Sequence, residues 1–184
     1  MRLFIAVDLP ASVRQEVAAF QQDLKNSGAD VKWVEMDNLH LTLKFLGDTK
    51  ESRAGELKQT LGAAVKGKSP FEIHLEGIGA FPKTTSPRVI WVGVNLGEKQ
   101  LVDLAHNIEE GCLTLGFPKE ERPLSAHLTI GRVRSNNHLA PLIKKLQTAE
   151  FRASCPAPIN RLILYQSTLS PHGPVYTPLA EFLF

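Results

Sequence analysis

Two histidine–threonine pairs are the residues best suited to chemistry. The stretches HLTLKFLG (His40–Gly47) and HLTIGRVR (His127–Arg134) share the pattern His-Leu-Thr-aliphatic, and their histidines lie 87 residues apart. Successive side chains of a β-strand alternate between its faces, so each histidine shares a face with the threonine two positions later. Each stretch is therefore predicted to present one imidazole beside one hydroxyl.

Two imidazoles that face a common site are suited to acid–base catalysis. The ordinary pKa of histidine is about 6.5, so near neutral pH one ring accepts a proton from water while the other donates one to a leaving oxygen. Hydroxyls and a guanidinium hold phosphoryl oxygens as negative charge develops on them. If the two pairs converge, the pattern predicts opening of a phosphodiester without a metal ion.

Structural and metal-binding roles are the alternatives for these histidines. A single His-x-Thr strand is usually structural, and only the second copy in matched register favours chemistry. Histidine is also a common metal ligand, but no His-x-x-x-His or Cys-x-x-Cys spacing occurs and neither motif carries a carboxylate. The sequence therefore predicts neither a metal nor a cofactor.

The elements that position the motifs follow from hydrophobic periodicity. Apolar runs and alternation predict strands, whereas apolar residues at helical spacing predict helices. Strands are predicted over residues 2–9, 31–35, 39–47, 71–81, 88–96 and 126–134, with two more in 159–184, and helices around Val13–Leu24, Leu57–Val65, Leu101–Cys112 and Leu139–Leu146.

The chain also repeats itself at a single offset. Phe4 and Trp91 lie the same 87 residues apart as the two histidines, which aligns RLFIAVDL with VIWVGVNL. The order strand, helix, histidine strand, helix, strand then recurs in each half. We therefore expect one α+β domain built from two pseudo-repeats, about residues 1–87 and 88–184, that form two related lobes.

The composition is that of a soluble globular protein. The chain has 184 residues, of which 43% are hydrophobic and 22% charged, and no apolar run is long enough to span a bilayer. MRLFIAVDLP lacks the features of a signal peptide, so we expect a cytoplasmic protein in which Cys112 and Cys155 are free thiols. The net charge of +2 suits an anionic substrate.

The paired motifs resemble those of the two-histidine (2H) phosphoesterase superfamily. Together with RLFIAVDLP, VKWVEMDNLHLTLKFLG, RVIWVGV and LYQSTLSPHGPVYTPLAEF, they are similar to the RNA 2′,3′-cyclic phosphodiesterases, first named 2′-5′ RNA ligases. The resemblance runs nearly from end to end. It implies a bilobal α+β fold in which each lobe is an antiparallel sheet backed by helices, with the active site in a central cleft.

The resemblance also implies a set of site residues. His40 and His127 would be the catalytic pair, Thr42 and Thr129 would bond the phosphate, and Arg132 would clamp it. Simple alternation places Arg132 on the face opposite His127, so a strand end, twist or bulge must turn it back.

The implied reaction is hydrolysis of an RNA 2′,3′-cyclic phosphate end to a 2′-phosphomonoester. His40 would act as general acid to the 3′-oxygen and His127 as general base to water, although the exchanged roles suit the sequence equally. With a 5′-hydroxyl in place of water, the same site would join RNA ends through a 2′-5′ bond without a nucleotide cofactor. The implied partner is RNA, with no membrane, and a monomer is expected because one chain completes the cleft.

Other functions and other residues stay open. The alternatives are a small cyclic nucleotide such as ADP-ribose 1″,2″-cyclic phosphate, a 2′-5′ oligoadenylate, or an RNA-binding module without turnover. Lys44 is expected on the face of His40, where it attracts phosphate or is solvated. Four basic residues could either guide RNA or simply lie on the surface: Lys83, Arg88, Arg122 and Arg134. Four aromatic residues could either pack in the core or stack on a nucleobase: Phe4, Trp91, Tyr165 and Tyr176. The remaining histidines are expected on the surface: His74, His106, His138 and His172.

Overall fold

Four α-helices and ten β-strands form the part of the chain that a computed structural model describes, residues 1–121, 123–171 and 173–184. The helices are α1 (Ala11–Lys25), α2 (Ala54–Val65), α3 (Glu98–Thr114) and α4 (Leu139–Thr148), and the strands are β1 (Arg2–Asp8), β2 (Val31–Trp33), β3 (His40–Asp48), β4 (Phe71–Ile73), β5 (Leu75–Lys83), β6 (Ser86–Val94), β7 (His127–Val133), β8 (Ala157–Ile159), β9 (Arg161–Ser170) and β10 (Gly173–Leu183). The four predicted helices and both motif strands are thereby confirmed.

Two four-stranded antiparallel sheets carry the motifs. Sheet 1 has the strand order β10-β9-β1-β3, and sheet 2 has the order β2-β7-β6-β5. His40 begins β3 and His127 begins β7, so each sheet contributes one motif. Strands β4 and β8 form a separate antiparallel pair. This is the α+β architecture expected from the sequence.

The two halves of the chain exchange strands. β5 comes from the first half but pairs with β6 in sheet 2, whereas β9 and β10 from the second half complete sheet 1 beside β1. Residue 87 lies inside β6, so the expected boundary between pseudo-repeats is not a boundary between sheets. Each sheet needs both halves of the chain.

The helices are exchanged in the same way. α2 and α3 contact each other and pack on sheet 1, through β10 and β3 respectively. α1 and α4 lie beside sheet 2. α4 contacts β5, and Nζ of Lys145 on α4 donates a hydrogen bond of 3.0 Å to the Asp23 carboxylate on α1. Buried aliphatic side chains from both sheets and all four helices form one continuous core, whose burial is the main stabilising contribution.

The strand predicted over residues 71–81 is two strands. The backbone of His74 leaves the ladder to bond the amide of Asn95 and the carbonyl of Leu96, which separates β4 from β5. The His74 ring, expected on the surface, is half-buried with Nε2 2.8 Å from the carbonyl oxygen of Ala153. That expectation was wrong because the segment after α4, which includes Ala153, covers the ring.

Three other elements differ from the predicted ones. β2 ends at Trp33, two residues earlier than expected, and the short β8 was missed. The strands predicted to end at residue 81 and to begin at residue 88 come closer together, because β5 ends at Lys83 and β6 begins at Ser86, which leaves only Thr84 and Thr85 as the turn. Short strands and tight hairpins depend on partners distant in sequence, which periodicity alone does not reveal.

Candidate active site

The first motif presents His40 and Thr42 on one face of β3. Both are half-buried, while Leu41 and Leu43 between and after them are buried in the core. The ladder to β1 then skips one residue: Ile5 pairs with Lys44 and Ala6 with Thr42, so Leu43 is a bulge. Beyond the bulge the alternation is reversed.

The second motif has the same bulge 87 residues later. Ile90 pairs with Gly131 and Trp91 with Thr129, so Ile130 is the extra residue in β7. Ile130 and Gly131 are both buried, and Arg132 is exposed. The bulge therefore returns Arg132 to the face of His127 and Thr129, which removes the conflict between its implied role and simple alternation.

Two features hold the bulge at Ile130. Gln21 of α1 is 2% exposed, and its Nε2 donates hydrogen bonds to the carbonyls of Ile130 at 2.7 Å and Val34 at 2.9 Å. A Cβ on Gly131 would lie 2.9 Å from Val31 Cγ1 and 3.0 Å from the Trp33 ring, so β2 approaches only because residue 131 is glycine. Gln21 was not identified from the sequence, because its partners are backbone atoms distant along the chain.

His40 lies in an aromatic pocket. Its ring stacks on Phe4 at 4.8 Å between centroids and meets Tyr176 edge-on at 5.1 Å. Tyr165 lies 6.0 Å away and donates its hydroxyl to Asp8 Oδ1 at 2.7 Å, and Asp8 is the ladder partner of His40. The pocket surrounds one side of the imidazole with rings.

This pocket sets the protonation of His40. Burial lowers its pKa to about 4, against a hydrogen bond to the Asn38 backbone and the negative charge of Asp8, both of which raise it. Desolvation disfavours the charged imidazolium. His40 is therefore neutral at pH 7 in the protein without substrate.

His127 has matching supports. Its Nδ1 lies 2.6 Å from the carbonyl oxygen of Ser125, which makes Nδ1 the protonated nitrogen and leaves Nε2 as the reactive one. Phe81 meets the ring edge-on at 5.0 Å, and Trp91 lies 6.3 Å away, over Gly79. Each histidine thus interacts with the backbone of the residue two positions before it: His40 with Asn38, and His127 with Ser125. Each also lies beside an aromatic residue of the 87-residue repeat: His40 beside Phe4, and His127 beside Trp91.

The two motifs come together in the fold. β3 and β7 approach each other with Cα atoms within 8 Å, although they belong to different sheets. The charge of Arg132 on β7 acts on Tyr176, whose ring contacts His40. The structure therefore brings the phosphate-binding candidate of one motif to the imidazole of the other.

Lys44 does not lie on the face of His40, and its expected position was wrong. The bulge at Leu43 turns it into the core, where it is 3% exposed. Its Nζ bonds Glu109 Oε2 at 2.7 Å and the Pro118 carbonyl at 3.0 Å. Lys44 is thus an internal ion-pair residue that links β3 to α3.

The remaining basic and histidine candidates are mostly peripheral. Lys83, Arg88, Arg134, His106 and His138 are exposed, so His106 and His138 are surface residues as expected. Arg122 and His172 lie outside the described residues. Cys112 and Cys155 are free thiols, as expected, and burial raises the pKa of Cys112 to about 11.

Of the predicted aromatic candidates, Phe4, Tyr165 and Tyr176 pack together and Trp91 lies beside His127, whereas the exposed rings Phe45 and Phe81 were missed. Phe4 is 3% exposed and contacts Tyr165 and Tyr176 at 5.2 and 4.9 Å, so it serves the core around His40. Phe45, in contrast, is 63% exposed on the site face of β3, and Phe81 is 37% exposed beside His127. Phe45 occupies the position equivalent to Arg132, so applying the second motif's geometry to the first would have identified it.

The described residues offer neither a cluster of metal ligands nor a helix that could span a membrane. Over residues 1–121, 123–171 and 173–184, no three His, Cys, Asp or Glu side chains group as they would to hold a metal ion. No helix in the same residues has the length and apolar character needed to cross a membrane.

Known proteins share both the sequence and the fold. The model of the LigT-like phosphoesterase family matches residues 7–91 and 93–176. The RNA 2′,3′-cyclic phosphodiesterases of Methanothermobacter thermautotrophicus and Archaeoglobus fulgidus are 38% and 39% identical over 185 and 183 residues, which cover 99% of this chain and 98% and 99% of theirs.

Solved structures give the same result. A protein of Thermus thermophilus superposes with a TM-score of 0.82 at 28% identity, covering 100% of this chain and 97% of that one. Escherichia coli LigT complexed with NADP+ gives 0.81 at 26%, covering 100% and 96%. The chain belongs to the LigT-like phosphoesterase family.

Proposed function

We propose that this protein hydrolyses RNA 2′,3′-cyclic phosphate ends to 2′-phosphomonoesters without a metal ion. The observation that carries the proposal is the pair of His-x-Thr strands with equivalent bulges, which approach each other at the junction of the two sheets. Relatives at 38–39% identity over nearly the whole chain are named RNA 2′,3′-cyclic phosphodiesterases.

The reaction needs one proton acceptor, one proton donor and an oxyanion site. Water attacks phosphorus as one imidazole takes its proton, the bond from phosphorus to the 3′-oxygen breaks, and the second imidazole protonates that oxygen. The hydroxyls of Thr42 and Thr129 and the guanidinium of Arg132 bind the phosphoryl oxygens as charge develops on them. The products are a 2′-phosphate and a 3′-hydroxyl.

The assignment of acid and base has two versions. In the first, His40 is the acid and His127 the base. The negative charge of the bound phosphate raises the pKa of His40, so that His40 is protonated in the complex with substrate. In the exchanged version, His40 is the base, which its pKa of about 4 in the free protein favours. We propose the first version, in which Nε2 of His127 takes the proton from water while its Nδ1 donates to the carbonyl of Ser125.

Sulfur in place of the leaving 3′-oxygen separates the two versions. A thiolate leaves without a proton, because the pKa of a thiol is about 8.5. The variant that lacks the acid should therefore lose far less activity on the sulfur substrate than on the oxygen substrate. We expect this recovery in His40→Ala but not in His127→Ala; the opposite pattern assigns the exchanged roles, and recovery in neither variant contradicts a proton donor.

The pH profile should show the lowered pKa of His40. Both versions require one neutral and one protonated ring, so the dependence of kcat/KM on pH should be bell-shaped. Protonation of His40, whose pKa is about 4, sets the acid limb of this curve near pH 4. Tyr176→Ala opens His40 to water, which raises its pKa toward about 6.5. The measured acid limb should therefore move to higher pH.

Phe81→Ala is the matched control for this shift. Phe81 meets His127 edge-on at 5.0 Å, much as Tyr176 meets His40 at 5.1 Å, but it does not touch His40. Its loss should leave the acid limb near pH 4. An acid limb that Tyr176→Ala does not move would assign that limb to a group other than His40.

A substrate panel tests the proposed function against its alternatives. Turnover is compared for RNA with a 2′,3′-cyclic end, ADP-ribose 1″,2″-cyclic phosphate and a 2′-5′ oligoadenylate. We expect the RNA end to have the highest kcat/KM. A higher kcat/KM for either of the other compounds would mean that the same reaction acts on that compound as its preferred substrate. RNA binding with no turnover of any compound would indicate a binding module.

Three further properties belong to the proposal. The same site would form 2′-5′ bonds when a 5′-hydroxyl replaces water, with no nucleotide cofactor. A single chain would act as a monomer in the cytoplasm, because β3 and β7 of one chain supply both motifs. The two pseudo-repeats would be the origin of the paired motifs, which the match of the family model to residues 7–91 and 93–176 supports.

A further inference from the structure

Gln21 is a polar side chain within the buried stripe of α1. The other buried residues of this helix are Val13, Val17 and Leu24, and Gln21 itself is 2% exposed. Burial of an amide costs free energy unless the amide is hydrogen-bonded, whereas an aliphatic side chain of similar size fills such a position without that cost. Packing of α1 therefore does not require an amide here, and the role of Gln21 follows from what its amide bonds.

The Gln21 amide holds one peptide of the second motif strand. Its Nε2 donates to the carbonyls of Ile130 at 2.7 Å and Val34 at 2.9 Å. The Ile130 carbonyl also accepts the backbone amide of Val34 at 3.0 Å. Two donors thus converge on one oxygen, which fixes the plane of the peptide between Ile130 and Gly131 within the bulge of β7.

The fixed peptide lies one residue before Arg132. Arg132 is exposed, and within residues 1–121, 123–171 and 173–184 no ion pair holds its guanidinium. The direction of such a side chain depends on its backbone, and the bulge decides which face of β7 Arg132 occupies. A rotation of the Ile130 peptide would therefore redirect the guanidinium.

The other half of the chain lacks this amide. α1 and α3 begin 87 residues apart, at residues 11 and 98, so the position equivalent to Gln21 is Ile108, which is 0% exposed. α3 contacts β3, whose residue equivalent to Arg132 is Phe45. The buried amide is thus found beside the motif strand that carries the arginine and not beside the one that carries the phenylalanine.

We propose that Gln21 is a positioning residue that directs the guanidinium of Arg132 at the reacting phosphate. It does so by holding the Ile130 peptide from the core side of β7, without touching the substrate. This inference rests on the proposed function, in which Arg132 binds the phosphoryl oxygens, and adds a buried residue of α1 to the groups on which phosphate binding depends.

The test is a double-mutant cycle of Gln21→Met and Arg132→Gln. Methionine keeps the length of the side chain but removes both donors. The Ile130 carbonyl keeps the Val34 amide, and Val34 is only half-buried, so Gln21→Met should fold. We expect it to lower kcat/KM on a short RNA with a 2′,3′-cyclic phosphate end by about 10–100-fold, the usual effect of misplacing a positioned group by up to about 1 Å.

The effect of Gln21→Met should vanish when Arg132 is already replaced. In the Arg132→Gln protein, Gln21→Met should change kcat/KM by less than about twofold, because the group that it directs is gone. A purely structural role would lower kcat/KM by the same factor with and without Arg132. The same result would follow if Gln21 acted through Thr129 or His127, and it would overturn the proposal.

Val17→Ala is the matched control for loss of packing in α1. Val17 lies one turn before Gln21 in the same stripe, is 0% exposed and has no polar group that could hold the Ile130 carbonyl. Its truncation leaves a cavity, so the melting temperature should fall. Val17→Ala should nevertheless keep the kcat/KM of the wild type. A loss of kcat/KM as large as that of Gln21→Met would assign both losses to helix packing and reject the proposal.

Binding of adenosine 2′-phosphate separates this inference from the proposed function. If the wild type does not turn over the RNA, the proposed function fails, and calorimetry with the same four proteins judges the positioning role. We expect Gln21→Met to weaken binding when Arg132 is present and to have no effect in the Arg132→Gln protein. Equal affinities in the wild type and Gln21→Met, or no binding to the wild type, would reject the role of Gln21.

Discussion

His40→Ala and His127→Ala are each expected to lower kcat by about 10²–10⁴-fold, the usual contribution of a general acid or base. Each removes one of the two proton transfers, while Thr42, Thr129 and Arg132 still bind the phosphate. KM should therefore change much less than kcat. The double variant should lose less than the product of the two single losses, because the two rings act in one step.

His106→Ala is the control for the histidine variants. His106 is exposed on α3, which packs against the core side of β3 through Lys44 and Glu109, and its removal should leave kcat unchanged. Thermal unfolding of each variant shows whether loss of the His40 ring from between Phe4 and Tyr176 disturbs the fold. A folded His40→Ala or His127→Ala protein with wild-type kcat would contradict the account.

Lys44→Met is expected to reduce the free energy of unfolding by about 3–5 kcal/mol, because it leaves a charge unpaired in a buried site. The side chains of Lys44 and Glu109 are 2% and 13% exposed, and their charged atoms are 2.7 Å apart. Glu109 also accepts the amide of Glu120, and Lys44 donates to Pro118, so the pair holds the segment that leads to β7. Urea unfolding at pH 7 measures the loss.

The loss should depend on pH in a defined direction. Burial raises the pKa of Glu109, but the hydrogen bonds and charge of Lys44 and the Glu120 amide outweigh it, so the pKa is lowered from 4.5. A carboxyl group with a lowered pKa stabilises the fold above its unfolded pKa and loses that effect as pH falls through the folded value. The difference between wild type and Lys44→Met should thus shrink below pH 4.5.

Two further variants make this result specific. The double variant Lys44→Met with Glu109→Leu should recover most of the stability, because it leaves neither charge unpaired. Arg161→Gln breaks an exposed pair in which Arg161 and Glu181 lie 3.6 Å apart, and it should cost less than about 1 kcal/mol. If Lys44→Met were as mild as Arg161→Gln, the buried pair would not stabilise the fold.

The sequence predicted the elements well because their periodicity is local. The stripe of Val13, Val17 and Leu24 in α1 and the alternation in β7 each depend on a single segment, and both elements formed as predicted. The family resemblance likewise predicted the fold class correctly. The roles of the five site residues stay a prediction until the variants are measured.

Side-chain directions failed where the ladder is irregular. Simple alternation from His40 would put Lys44 outward and Phe45 inward, and the bulge at Leu43 reverses both. A bulge depends on pairing with another strand and on supports such as Gln21, which bonds Ile130 across 109 residues of sequence. Neither the exchange of β5 and β9 between sheets nor these supports leave a local pattern in the sequence.

The most direct test of the central claim uses the wild-type protein in excess EDTA. A short RNA with a 2′,3′-cyclic phosphate end is incubated with it, and the oxygen that keeps the phosphate is identified, with the double variant His40→Ala and His127→Ala alongside. The account predicts undiminished turnover to a 2′-phosphate in the wild type and turnover at least about 10²-fold slower in the double variant. Turnover that EDTA abolishes would contradict metal-free chemistry by paired imidazoles, and a 3′-phosphate product would contradict the 3′-oxygen as the leaving group.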